Sequence, residues 1–130
     1  MHVLRSVKNW LDTWGPALLV MSVIFLLSGT PGNDLPSFGL LDIGVKKVGH
    51  FLGYCLLAFT YRYALTRGRP DKRLLMVLAV AMAGLYAVTD EFHQSFIAGR
   101  TPSAADVGID TSGALLGSVC WCRVRAYLGL

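Results

Sequence analysis

The chain has 130 residues, enough for one domain with no room for a soluble partner domain. Hydrophobic residues make up 54% and charged residues only 15%, against about 25% charged in soluble proteins, so the chain is expected to dissolve in lipid. The net charge of +4 does not point to nucleic acid, because the basic residues flank apolar spans instead of forming a patch with interleaved aromatics.

Four apolar segments follow one another, separated by polar, Gly/Pro-rich punctuation. The first covers about 14–29 and stops at Ser28-Gly29-Thr30-Pro31-Gly32. Arg5 and Lys8 ahead of it also fit a cleavable signal peptide. The run reaches back through Trp10 and Leu11, however, and no A-x-A-like cleavage site follows, so a retained helix is expected.

The second segment covers about 48–65 and is opened by Lys46, Lys47 and His50, with His50 and Tyr54 one helical turn apart. The third covers about 74–91 and runs into the densest polar stretch of the chain, Asp90 to Asp106. The fourth covers about 104–122, with Asp106 and Asp110 four residues apart on one face. Each approaches the roughly 20 residues that cross a hydrocarbon core. Lipid offers no water to free backbone groups, which predicts helices, and the segments lack the alternation of a β-barrel. The predicted fold is all-α, a single integral membrane four-helix bundle over residues 1–130.

Cys55, Cys120 and Cys122 fall inside apolar stretches. A C-x-C without a second cysteine pair is weak metal evidence, so they read as small apolar residues. Gly113-Ala114-Leu115-Leu116-Gly117 is a G-x-x-x-G, which predicts close packing within the bundle more than a dimer face.

Charge predicts orientation. Nine of the twelve basic residues, Arg5, Lys8, Arg62, Arg67, Arg69, Lys72, Arg73, Arg123 and Arg125, fall on one side of the spans. The other side has Lys46, Lys47 and Arg100, with six of the eight acids: Asp34, Asp42, Asp90, Glu91, Asp106 and Asp110. The positive-inside rule then puts both termini in the cytoplasm of a multi-pass protein, and the polar residues on the outer face.

Ionisable groups near membrane depth are costly and need a purpose or a partner. One reading is structural, with Lys47 or Arg100 neutralising Asp90 or Asp106 at the helix ends. A second is an acid/base or anion-binding pocket. In it His50 or His93 transfers protons, Asp90, Glu91 or Asp106 orients the histidine or acts as base, and Arg100 with Lys47 holds phosphate. A third is a divalent metal on His50, His93, Glu91 and Asp106, although D-E-x-H lacks the paired histidines of H-E-x-x-H, and no cofactor is expected. No nucleophile elbow, Walker loop or dinucleotide fingerprint is present.

Lys47-x-x-His50-Phe51-x-x-Tyr54, then Asp90-Glu91-x-His93-Gln94-x-Phe96 with Gly99-Arg100, Ser103 and Asp106, and finally Asp110 to Gly117 resemble the VanZ-like family of small bacterial membrane proteins. The resemblance spans about residues 28–118. Lys46 stands where members often carry an acid, and Asp110 where they often carry Asn. It implies a cell-envelope protein of the bacterial inner membrane, in a family named for a protein associated with low-level teicoplanin resistance. The motif residues Lys47, Tyr54, Gln94, Arg100, Ser103 and Asp110 are then the candidate ligand-binding set, and His50, Asp90, Glu91, His93 and Asp106 the candidate catalytic set. Two functions fit: a module binding an anionic lipid, an envelope intermediate or a glycopeptide-related ligand, or an enzyme acting on a phosphate-bearing or lipid-linked envelope substrate.

Overall fold

A computed structural model describes residues 2–31 and 40–129, with the side chains of 4–31 and 44–129. Asp34 lies outside the described residues, as does the side chain of Asp42. Four helices form the chain: α1 (His2–Ser28), α2 (Leu40–Thr66), α3 (Arg73–Gln94) and α4 (Ala104–Leu128). All four predicted segments are present, and no strand occurs among the described residues.

The helices outrun their apolar segments, α1 by twelve residues and α2 by eight at their starts. An apolar run marks the stretch that lipid tolerates, whereas a helix ends only where its backbone is interrupted or capped. Capping is visible on α4: the Ser103 hydroxyl accepts from the Ala105 amide at 3.2 Å, and Gly129 ends the helix with φ 66°. That left-handed conformation costs glycine nothing.

The interior is built from small side chains. Ala79, Ala83 and Ala87 of α3 are buried with Ala58 and Ala114, around Tyr54, Leu57 and Tyr61. Leu18, Leu19, Val23, Leu26, Leu52, Leu56 and Leu85 stand exposed. Small residues inside and large apolar ones outside is the arrangement of helices packing in lipid, where close backbone approach replaces hydrophobic collapse. Leu4–Ser28 and Arg73–Gln94 are long and apolar enough to cross a membrane.

Packing is most extensive between α2 and α4; α3 packs on both, and α1 leans mainly on α2. Gly113 and Gly117 explain the first contact. A β-carbon on either would overlap a backbone carbonyl of α2, that of Phe51 or Cys55 respectively. The G-x-x-x-G therefore works inside the bundle, letting two backbones touch.

The helices form two chemically distinct ends. At the basic end Arg62 is not a loop charge: it is 1% exposed and inside α2. Its guanidinium pairs with Asp71 at 2.6 Å and lies 3.0 Å from Cys122 Sγ. Cys122 is thus half-buried in a polar clasp, where the sequence suggested a plain apolar cysteine. Trp121 Nε1 donates to Thr66 Oγ1 at 3.0 Å, and Arg125 donates to the carbonyls of Thr66 and Arg69, completing the exposed end of α2. The acidic end gathers the ends of α1 and α3 with the starts of α2 and α4.

Candidate functional site

At the acidic end the periodicities of three segments converge. Lys47 and His50 sit near the start of α2, Glu91 and Gln94 near the end of α3, and Asp106 and Asp110 in the first two turns of α4. With Lys46, Gly99, Arg100, Thr101 and Ile109 they line a cleft of about 430 Å³. Seven of the predicted site residues therefore share one cavity: Lys47, His50, Glu91, Gln94, Arg100, Asp106 and Asp110.

Charges in this cleft mostly pair across helices. Lys47 Nζ bonds Asp106 Oδ1, and His50 Nδ1 lies 3.4 Å from Asp110 Oδ2. Spacing of four residues on α4 meets spacing of three on α2, so one helix face answers the other. Asp110 is 1% exposed and its second oxygen has no hydrogen-bond partner. The histidine lines the cleft with a buried carboxylate behind it, an arrangement that can orient an imidazole. The Tyr54 and His50 rings stack at 6.4 Å, and the buried Tyr54 hydroxyl lies beside Asp90 and Asp110.

Asp90 stands behind the cleft lining, only 3% exposed. Its Oδ2 accepts from Ser28 Oγ at 2.7 Å and from Gln94 Nε2 at 3.2 Å, while Oδ1 is unpartnered. Glu91 Oε2 accepts from the Ser103 amide at 2.8 Å, tying the end of α3 to the start of α4. Ser103 thus acts as a cap and a tie; it is absent from the cleft lining.

Arg100 meets none of the acids expected to pair with it. Its Nε donates to the Thr30 carbonyl at 3.2 Å and one Nη to the Leu27 carbonyl at 3.3 Å, satisfying the open end of α1. Among the described residues it forms no ion pair.

His93 is not brought to the cleft. Its ring stacks on Phe25 of α1 with centroids 4.3 Å apart, and it packs close to Gly29. Helical geometry explains this: Asp90 lies between Gln94, turned towards the cleft, and His93, about 100° round the helix from Gln94 and towards α1. Among the described residues no three His, Cys, Asp or Glu side chains come together closely enough to hold a metal ion.

Ser28, Leu27, Thr30 and Phe25 were legible in the sequence only as a helix and its stop signal. In the structure that stop is the dock for Asp90, His93 and Arg100. Much of the dense polar motif therefore fastens α1 to α3 and to the connection that follows it. The signal that could have shown this is the serine at the last position of α1, a hydroxyl donor that Asp90 accepts from.

A family model described as VanZ/LLP1 matches residues 5–125, nearly the whole chain. No curated protein and no solved structure matches it.

Proposed function

The chain belongs to the VanZ/LLP1 family, and from that premise we propose that it is a binding module of the bacterial cell envelope, associated with antibiotic resistance. In this reading all four helices cross the inner membrane, both termini are cytoplasmic, and the acidic end with its cleft opens at the outer surface. The ligand is an oxyanion-bearing molecule: an anionic lipid headgroup, an envelope intermediate or a glycopeptide-related compound.

One observation carries the reading. Arg100 lines the cleft, its guanidinium is fixed by two carbonyls of the α1 end, and among the described residues no carboxylate pairs with it. A pre-oriented planar donor of this kind suits a phosphate or carboxylate. Anionic lipid binding to the purified protein, read as a shift in thermal melting with phosphatidylglycerol, tests it. Arg100→Lys should weaken binding about tenfold, the size of one charge-assisted hydrogen bond. Its melting temperature without lipid separates loss of binding from loss of the α1 dock. No lipid-dependent shift in the native protein rejects the proposal.

His50 and Asp110 favour a second reading, a membrane-embedded enzyme on a phosphate-bearing or lipid-linked substrate. A histidine on the cleft wall backed by a buried carboxylate is suited to moving protons. Turnover of a lipid-linked phosphate by membranes containing the protein, abolished in His50→Gln, would establish it. Turnover equal to that of empty membranes would exclude it for that substrate.

A further inference from the structure

The side chains lining the cleft do not all cancel one another. Lys47 is matched by Asp106, and His50 by Asp110. Lys46 also lines the cleft, while Arg100 and Glu91, one cation and one anion on the same wall system, form no ion pair among the described residues. Arg100 is occupied by carbonyls and Glu91 by a single backbone amide on Oε2.

Glu91 is only 7% exposed, and what remains open faces this cavity. A nearly buried carboxylate without a cation is unfavourable unless something positive reaches it. A guanidinium without an anion invites the opposite charge. A ligand that supplies both at once must hold an oxyanion and an ammonium on a short linker.

We infer that the cleft takes a zwitterionic headgroup, with its phosphate on Arg100 and its ammonium on Glu91, and that the ligand is a phosphoethanolamine lipid. The inference rests on the reading that Arg100 receives an oxyanion, and it adds the second charge. A lipid source is favoured over a free zwitterion by the segment that carries Glu91. Phe92 and Phe96 stand exposed there, edge to face at 5.1 Å, an apolar pair beside the cleft that acyl chains can cover. A primary ammonium has three N–H donors for the carboxylate, whereas a quaternary ammonium has the charge without the donors.

The test is binding of three dioleoyl lipids by the purified protein in a maltoside detergent, followed as melting shift against lipid concentration. Phosphatidylethanolamine should bind about tenfold more tightly than phosphatidylglycerol, the magnitude of one charge-assisted hydrogen bond. Phosphatidylcholine should bind several-fold more weakly than phosphatidylethanolamine. Glu91→Gln keeps an acceptor for the Ser103 amide and should bring phosphatidylethanolamine down to the level of phosphatidylglycerol, with the latter no weaker than before.

Equal or tighter binding of phosphatidylglycerol by the native protein overturns the inference and leaves the oxyanion reading standing. Equal binding of phosphatidylcholine and phosphatidylethanolamine also overturns it, and needs no variant. A uniform loss for all lipids in Glu91→Gln would make Glu91 a structural tie only. Failure of every lipid to bind removes this inference together with the reading it rests on.

Discussion

Gly117 of α4 lies directly against the Cys55 carbonyl of α2, with no space for a β-carbon between them. The obstruction is backbone, which cannot rotate away as a side-chain tip would. Gly113 makes the same approach to Phe51 one turn earlier, so the two glycines fix the α2–α4 separation over a turn of helix.

Gly117→Ala is therefore expected to disrupt the bundle rather than tune it. Overpacking alone costs about 1–3 kcal/mol, and here the helices must also separate, loosening the interface that holds the cleft. The variant should be lost from the membrane fraction or melt far below the native protein. Gly108→Ala is the control, since its β-carbon would meet nothing within 4 Å. Native-like melting of Gly117→Ala would mean that α2 and α4 are not so close.

The second expectation concerns the basic end. Arg62, at 1% exposure, relies on Asp71 for its counter-charge. Removing one partner from a buried pair leaves an uncompensated charge, at a cost of about 3–5 kcal/mol. Asp71 is itself partly solvated, so Asp71→Ala should fall at the lower edge of that range. Arg62→Met with Asp71→Ala together should cost less than the sum of the two single changes, because the orphaned charge is gone. Melting of the three variants closes the cycle, and strict additivity would show that the pair contributes no coupling.

Orientation can be read chemically. In a background with Cys55, Cys120 and Cys122 replaced, Pro70→Cys reports the connection between α2 and α3 and Ala98→Cys the connection between α3 and α4. Both positions are exposed. A membrane-impermeant maleimide on intact cells should label position 98 and spare position 70 until the membrane is permeabilised. The reverse pattern would invert the proposed topology and put the cleft in the cytoplasm.

Helix number, close packing at Gly113 and Gly117, and the gathering of His50, Glu91, Asp106 and Asp110 were legible because each follows from a local rule. Those rules are apolar length, small-residue spacing and i, i+4 geometry, and each can be applied without knowing the neighbours. Partner choice does not follow from such rules. Arg100 looked like the natural mate of Asp90 or Asp106, yet it serves carbonyls at the end of α1. That outcome depends on where a fourth helix happens to stop. His93 went astray for a related reason: adjacency in sequence to Asp90 and Glu91 says nothing about which face a side chain leaves from. Arg62 was counted as a topology charge because its burial is set by α4, sixty residues away.

Asp90 offers a final discrimination between structure and function. Its Oδ2 ties Ser28 and Gln94, and the buried Tyr54 hydroxyl lies beside the same carboxylate. Asp90→Asn keeps the shape, keeps an acceptor for Ser28 and Gln94, and places an amide N–H, from which the tyrosine hydroxyl can accept, where the second oxygen was. A neutral amide is also less costly to bury than a carboxylate. The variant is therefore expected to be at least as stable as the native protein, by up to about 1–2 kcal/mol, whereas Asp90→Ala should be destabilised by a similar amount through loss of the α1 tie. Thermal melting of the two variants measures both effects. A stabilised Asp90→Asn with impaired lipid binding or resistance would show that the carboxylate is kept for function at the expense of stability. An Asp90→Asn as unstable as Asp90→Ala would make the charge itself part of what holds α1 in place.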